Sequence, residues 1–340
     1  MLPAMRQIWI TRLGAPEVLA LKEAPDPEAG AGQVRVRVRA SGINFADLLA
    51  RVGLYPDAPK PPCVVGYEVA GTILELGEGA STPARPLTPG QRVVAGTEFG
   101  GYASQVVAPA DGVLGLPDGL TFEQGAAIPV NYGTAWMGLL RFGGLQRGER
   151  VLIQAAAGGV GIAATQVAKR AGAEIYGTAS PGKHARIAEL GVDHPLDYTK
   201  PGWERGLPPL DVIMDAIGGK SFRRSYELLG PGGRLIAFGA SGVVSGERRN
   251  PIPALKTALR MPRFNMIKQM SASKAVIGLN MYTLSQDERR RAEVSAALRE
   301  LTADGTVQPV VAGTFSFEEA GAAHNMITER KNVGKVILVP

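Results

Sequence analysis

A strand-like run, Arg150 to Ala155 (RVLIQA), meets a turn of small residues, Ala155 to Gly161 (AAAGGVG), and the 3.6-residue apolar spacing of Ile162 to Ala171 follows at once. Strand, glycine turn and helix in that order leave few folds open. The turn carries the chain directly from a strand to a helix N-terminus, whose free N–H groups and positive dipole end attract a phosphate. Gly158, Gly159 and Gly161 are the close-approach positions, Ala157 leads into them, and Val160 packs the helix on the sheet. Such turns also have purely structural uses, but the strand before and the helix after favour dinucleotide binding.

The segments that follow alternate. Glu174 to Thr178 reads as a strand and Lys183 to Leu190 as a helix ending at Gly191. Leu210 to Asp215 is a strand, Lys220 to Leu229 a helix closed by Gly230-Pro231-Gly232-Gly233, and Arg234 to Gly239 a strand. Strands and helices of these lengths predict a parallel sheet of βαβ units. After Val276 come a strand, a charged helix from Asp287 to Ala303 and a terminal strand from Lys335 to Val339. The first third has a different texture. Gln33 to Ala40 alternates valine with arginine, the period-2 signature of a half-buried strand, and short β-branched runs around it suggest an irregular barrel-like domain. Phe122 to Leu140 is helix-compatible, interrupted by Pro129 and Gly133. The 340 residues allow two domains with substantial cores.

Cofactor choice is read at the end of the strand after the glycine turn, where an NAD site normally places an Asp or Glu on the ribose hydroxyls. Here Ile175 to Thr178 runs into Ala179-Ser180-Pro181-Gly182-Lys183 with no carboxylate. Ser180 can donate a hydrogen bond to a 2′-phosphate and Lys183 supplies positive charge, which favours NADPH. The plainer reading makes Lys183 an exposed lysine without a partner.

Composition removes several classes. The net charge of +6 is concentrated between Ser245 and Met270, where Arg248, Arg249, Lys256, Arg260, Arg263 and Lys268 face only Glu247. One short stretch is not the pervasive basic surface of a nucleic-acid binder. A single cysteine, Cys63, rules out an intrachain disulfide framework and a multi-cysteine zinc cage. The N-terminal residues carry no secretory-type apolar run and no stretch reaches about 18 apolar residues, so a cytoplasmic protein without a membrane span is expected.

Several further motifs occur in order: SGINFADLLARVGLY (Ser41 to Tyr55), GYEVAGTI (Gly66 to Ile73), PVNYGTAW (Pro129 to Trp136), HPLDY (His194 to Tyr198) and KNVGKVILVP (Lys331 to Pro340). With AAAGGVG they resemble the medium-chain dehydrogenase/reductase superfamily, its zinc-free quinone-oxidoreductase branch, and within that the vesicle amine transport protein group. The resemblance implies an α/β chain in which a Rossmann-type doubly wound parallel sheet binds NADPH over residues 127–270, with the basic insertion at 245–270. It also implies a discontinuous, mostly β GroES-like catalytic domain from residues 1–126 and 271–340, with substrate in the cleft between the two.

The same resemblance bears on chemistry. Zinc-dependent members hold a metal with a Cys, a His and a third ligand. At those positions this chain has Asn44 and the Tyr67 of Gly66-Tyr67-Glu68, and its three histidines, His184, His194 and His324, do not cluster, so no metal is expected. Glu68 reads as a structural pairing partner. What remains feasible is hydride addition to a carbon already polarised by conjugation, as in quinones and α,β-unsaturated carbonyl compounds. Such a reaction needs positioning and donors for the developing oxyanion. The resemblance makes Tyr55 a proton donor and Asn44 a group that orients substrate or the nicotinamide ribose. An aromatic at a helix end and an ordinary turn residue are the plain alternatives. Asp47 would support that loop. Asn131 and Thr134 would lie near the nicotinamide or serve a helix kink. Tyr198 would lie on the adenine and phosphate, Gly239, Ser241 and Gly242 along the nicotinamide side, and Asn332 would bind the cofactor from the returning C-terminal motif. A homodimer through an edge strand near Ala275 to Leu279 is implied as well. The basic insertion reads as a lid, a subunit contact or a lipid-facing surface, and a nucleotide-bound sensor with little turnover is the alternative function.

Overall fold

A computed structural model describes residues 4–82, 84–243 and 260–340. Eight strands come first: β1 (Ala4–Ile10), β2 (Leu19–Pro25), β3 (Gln33–Gly42), β4 (Cys63–Val64), β5 (Glu68–Leu76), β6 (Arg92–Gly96), β7 (Gln105–Pro109) and β8 (Val113–Gly115). Helix α1 (Phe45–Val52) lies between β3 and β4. Val34, Val36, Val38 and Ala40 of β3 are buried, while the arginines between them keep solvent contact, so one face of the strand packs inward. Short helices α2 (Phe122–Gly125) and α3 (Pro129–Trp136) follow. Pro129 does not interrupt this helix but starts it, at a position whose missing N–H costs nothing.

Next comes the alternating region: β9 (Arg150–Ile153), α4 (Gly159–Ala171), β10 (Glu174–Ala179), α5 (His184–Glu189), β11 (His194–Asp197), β12 (Leu210–Asp215), α6 (Lys220–Leu228), β13 (Leu229–Ala237) and β14 (Ala275–Gly278). These strands form one sheet in the order β11-β10-β9-β12-β13-β14, parallel throughout. The order reverses between β9 and β12, the switch point where open α/β sheets place their ligand crevice. Because β14 pairs with β13, the parallel sheet extends past residue 270, the limit expected from sequence. A long helix, Glu288–Ala303, capped by the Asp287 side chain, then leads to β15 (Val311–Ser316), a helix at Ala320–Thr328, and β16 (Lys335–Val339).

The last two strands return to the N-terminal sheet. β15 runs parallel to β16, and Ile337 and Leu338 of β16 face Gly42 and Ser41 of β3. The resulting mixed sheet reads β15-β16-β3-β5-β6-β8, with β7 also on β3, and β2-β1-β4 forms a small sheet of its own. One apolar cluster crosses from one sheet to the other, joining Ala40, Ala70 and Ile337 to Ile128, Tyr132, Ile153 and Met214. The two sheets therefore share an apolar core. Among the described residues no helix is long and apolar enough to cross a membrane.

Candidate functional site

A cleft of about 730 Å³ opens where the carboxyl ends of β9, β10 and β12 face β16 and the start of α1. Its floor is the turn after β9, and Ala157, Gly158, Gly159, Val160 and Gly161 all line it. The glycines there have separate reasons. A Cβ at Gly161 would lie 2.4 Å from the Ala155 carbonyl oxygen, and one at Gly159 would lie 2.7 Å from the Asn131 amide. At Gly158 only the Ala155 oxygen, at 3.3 Å, would be met, which leaves room on its cleft side. Ala155 holds a positive φ of 56°, uncommon for a residue with a side chain, and its N–H donates to Thr178 Oγ1 at 3.1 Å. Beside it Gln154 is buried, with Oε1 accepting from Thr178 and Nε2 without a hydrogen-bond partner.

The end of β10 carries the cationic part of the wall. Ser180, Lys183 and Tyr198 line the cleft, and so do Arg330 and Asn332 from the loop before β16. Lys183 has partners: its Nζ donates to the carbonyls of Arg330 at 2.6 Å and Asn332 at 2.7 Å. Burial and the nearby Arg330 charge lower its pKa. Arg330, itself at a positive φ of 57°, did not emerge from the sequence reading. Its signal there was only a basic residue just ahead of the terminal motif. Glu329, an acid on this wall, pairs with Lys331 at 2.5 Å.

Across the cleft, Asn44 precedes α1 and Lys335 opens β16. Lys335 Nζ reaches Asn44 Oδ1 at 2.6 Å, Glu68 Oε1 at 2.5 Å and Asn131 Oδ1 at 3.4 Å. Glu68 is fully buried, as its structural reading required, and also accepts from Asn44 Nδ2 at 3.1 Å and from the Val130 N–H at 2.8 Å. Lys335 was missed in the sequence because its partners lie far away along the chain. Beneath this wall, Asp47 accepts from the N–H groups of Asn44 at 2.7 Å and Gly66 at 3.0 Å, and from the Tyr102 hydroxyl at 3.1 Å. The Tyr102 oxygen also lies 3.1 Å from His324 Nε2. Burial pushes the Asp47 carboxyl up to about 7 and pulls the His324 imidazole down to about 3, so His324 stays neutral.

Three expected residues are not on the cleft wall. Thr134 is buried within α3, and Gly239 sits against Ala216, leaving Ser241 and Gly242 to line that side. Tyr55 is half-buried in an aromatic row, 6.2 Å edge-on from Tyr67, which is followed by Phe99 and Tyr282. Burial, with Asp57 and Asp47 nearby, pushes its phenol up to about 12. Of the basic insertion, Arg248, Arg249, Leu255, Lys256 and Leu259 lie outside the described residues. Arg260 lines the cleft, and Met261 Sδ accepts from the Gly219 N–H at 3.3 Å. Among the described residues no group of three or more His, Cys, Asp or Glu side chains is arranged to hold a metal ion.

Known proteins share this architecture. The alcohol dehydrogenase GroES-like domain matches residues 30–118 and the zinc-binding dehydrogenase family matches residues 190–338. The synaptic vesicle membrane protein VAT-1 homolog of Homo sapiens is 35% identical over 344 residues, covering 99% of this chain and 86% of its own length. The structure of mycobacterial Rv1454c complexed with NADPH superposes with a TM-score of 0.84 at 29% identity, covering 99% of this chain and 100% of that one. A quinone oxidoreductase from Pseudomonas syringae gives 0.83 at 28% identity, with 99% and 100% covered.

Proposed function

The chain belongs to the medium-chain dehydrogenase/reductase superfamily, in its zinc-free quinone-oxidoreductase branch near the VAT-1 proteins, and we propose that it reduces quinones or α,β-unsaturated carbonyl compounds with NADPH. Its mixed sheet is the GroES-like unit and its parallel sheet the Rossmann-type one. The observation that carries the proposal is the cationic end of the cleft. Ser180, Lys183 and Arg330 gather there, and no carboxylate closes β10 against a 2′-phosphate.

The residues present fit such a cofactor: the glycine floor is open at Gly158, and the buried Gln154 Nε2 still lacks an acceptor. The turn from Ala157 to Gly161 would hold the pyrophosphate at the N-terminus of α4, and Tyr198 would cover the adenine end. When bound, NADPH supplies the hydride. The protein's share is to orient the acceptor against the wall formed by Asn44, whose amide Lys335 and Glu68 hold in place. With Asn44 and Tyr67 at the positions where zinc-dependent relatives have ligands, no metal step is invoked. We also propose that two chains pair along β14, which is an edge strand of the parallel sheet among the described residues.

The test is NADPH oxidation, followed at about 340 nm, against a benzoquinone, a naphthoquinone and an enone. Turnover on any of them, with NADH much poorer, is expected. NADPH binding without turnover on all three would instead favour a nucleotide-bound surface protein. That second reading draws on the helix Met266–Ala272, where Met266, Ile267 and Met270 are all more than 70% exposed beside Arg263 and Lys268.

A further inference from the structure

Two consecutive residues connect the acceptor side of the cleft to the phosphate-binding turn. The Gly334 N–H donates to the Ala157 carbonyl at 2.9 Å, and Gly334 forms an isolated parallel bridge with Gly158. The next residue, Lys335, is 4% exposed and commits its ammonium to Glu68, Asn44 and Asn131. An ammonium has three hydrogens, and three acceptors are present. Glu68 in turn holds the Val130 N–H, so one ion pair ties β16 and β5 to the start of α1 and the first turn of α3.

A Cβ on Gly42 would lie 2.7 Å from Lys335 Cε and 2.9 Å from Glu68 Oε1, so the pair is packed closely on the Gly42 side. The consequence falls on Asn44. The terminal torsion of an asparagine is broad and roughly two-fold, leaving its oxygen and nitrogen free to exchange places. Lys335 at Oδ1 and Glu68 at Nδ2 admit only one of the two orientations.

We propose that Lys335 is a positioning residue, which with Glu68 fixes the amide of Asn44 and so sets the wall on which the acceptor lies. Gly334 anchors the same strand on the cofactor turn through its backbone, so the wall is registered to the cofactor without a side chain passing between them. This inference rests on the proposed reduction, and its primary readout is equilibrium binding.

The experiment measures the affinity of a naphthoquinone for the complex of the full chain with NADP+, which cannot transfer hydride. Removing Lys335 alone would leave Glu68 buried and unpaired, so the pair is replaced together as Lys335→Met/Glu68→Gln, with thermal unfolding as the check on folding. Expected are an about tenfold loss of naphthoquinone affinity in this variant, a similar loss in Asn44→Ala, and no further loss when all three changes are combined. NADPH affinity should stay within about twofold, because the anchor on the turn is backbone. Losses that multiply in the combined variant, or parent-like binding once the ion pair is gone, would overturn the positioning role. A parent chain that binds the naphthoquinone without reducing it defeats the proposed reduction, while the same cycle still decides the role of Lys335. No binding by the parent overturns both.

Discussion

Asp47→Asn isolates the energetic cost of a carboxylate beneath the active wall. Asp47 is fully buried and accepts from Asn44, Gly66 and Tyr102, yet burial outweighs these donors and lifts its carboxyl from 3.8 to about 7. A folded pKa above the unfolded one means that the native chain keeps a proton which the unfolded chain has already released. Stability from this group is therefore complete below about pH 4, falls as pH rises toward 7, and then levels. At about 1.36 kcal/mol per unit the whole shift is worth about 4 kcal/mol, of which about 3 falls between about pH 4.5 and pH 8. Asparagine does not titrate. It does set an N–H₂ against one of the three donors, an offset of about 1–3 kcal/mol that is the same at every pH. His324, held near 3, is neutral over this range in parent and variant and drops out of the difference. Urea unfolding at the two pH values should therefore show the variant gaining about 3 kcal/mol on the parent at the higher one. A difference that moves by less than about 1 kcal/mol would refute the burial argument.

Other consequences follow from the same geometry. Lys183→Ala and Arg330→Ala should each weaken NADPH about tenfold while leaving NADH within about twofold. Equal losses for both cofactors would remove the 2′-phosphate from that end of the cleft. Gly161→Ala places a Cβ 2.4 Å from the Ala155 oxygen and 2.7 Å from Ala156 Cα, both backbone atoms that cannot swing aside. It should cost about 1–3 kcal/mol in chemical denaturation and most of the NADPH affinity, and parent-like values in both would show that the turn can relax. Tyr55→Phe, off the cleft wall in the aromatic row with Tyr67, Phe99 and Tyr282, should leave turnover on enones and quinones equal to that of the parent. A selective fall on enones would return Tyr55 to the reaction as a proton donor.

What the sequence made legible was local. The valines of β3 announce their buried face at every second residue, and the residues of AAAGGVG that the flanking strand and helix single out, Ala157, Gly158, Gly159, Val160 and Gly161, line the cleft floor. Lys335 and Glu68 could not be paired that way, because the contact depends on β16 returning to β3 across the whole parallel sheet. Arg330 was hidden for the same reason. Two other residues lie off the cleft. Thr134 is on the same helix as Asn131 and equally buried but does not line the cleft, and Tyr55 follows α1 into an aromatic row. Spacing alone does not distinguish a wall residue from its neighbour one turn away when both helix faces are covered. Pro129 shows a complementary limit: the same residue that breaks a helix interior begins one at its first turn.

The pairing of β16 with β3 also governs the order in which the molecule can be completed. Ile337 and Gly42 meet across about 300 residues of chain. At a synthesis rate of about 5–20 residues per second, β3 waits roughly 15–60 s for that partner. Until then the Ser41–Gly42 end of β3 presents unpaired backbone, and Glu68 has no cation. The N-terminal sheet is thus born with an open seam, the kind of exposed edge that chaperones bind and that seeds aggregation. Closing it brings Lys335 to Asn44 and Gly334 to the cofactor turn in the same event, so the cleft becomes competent only when the last seam is sealed.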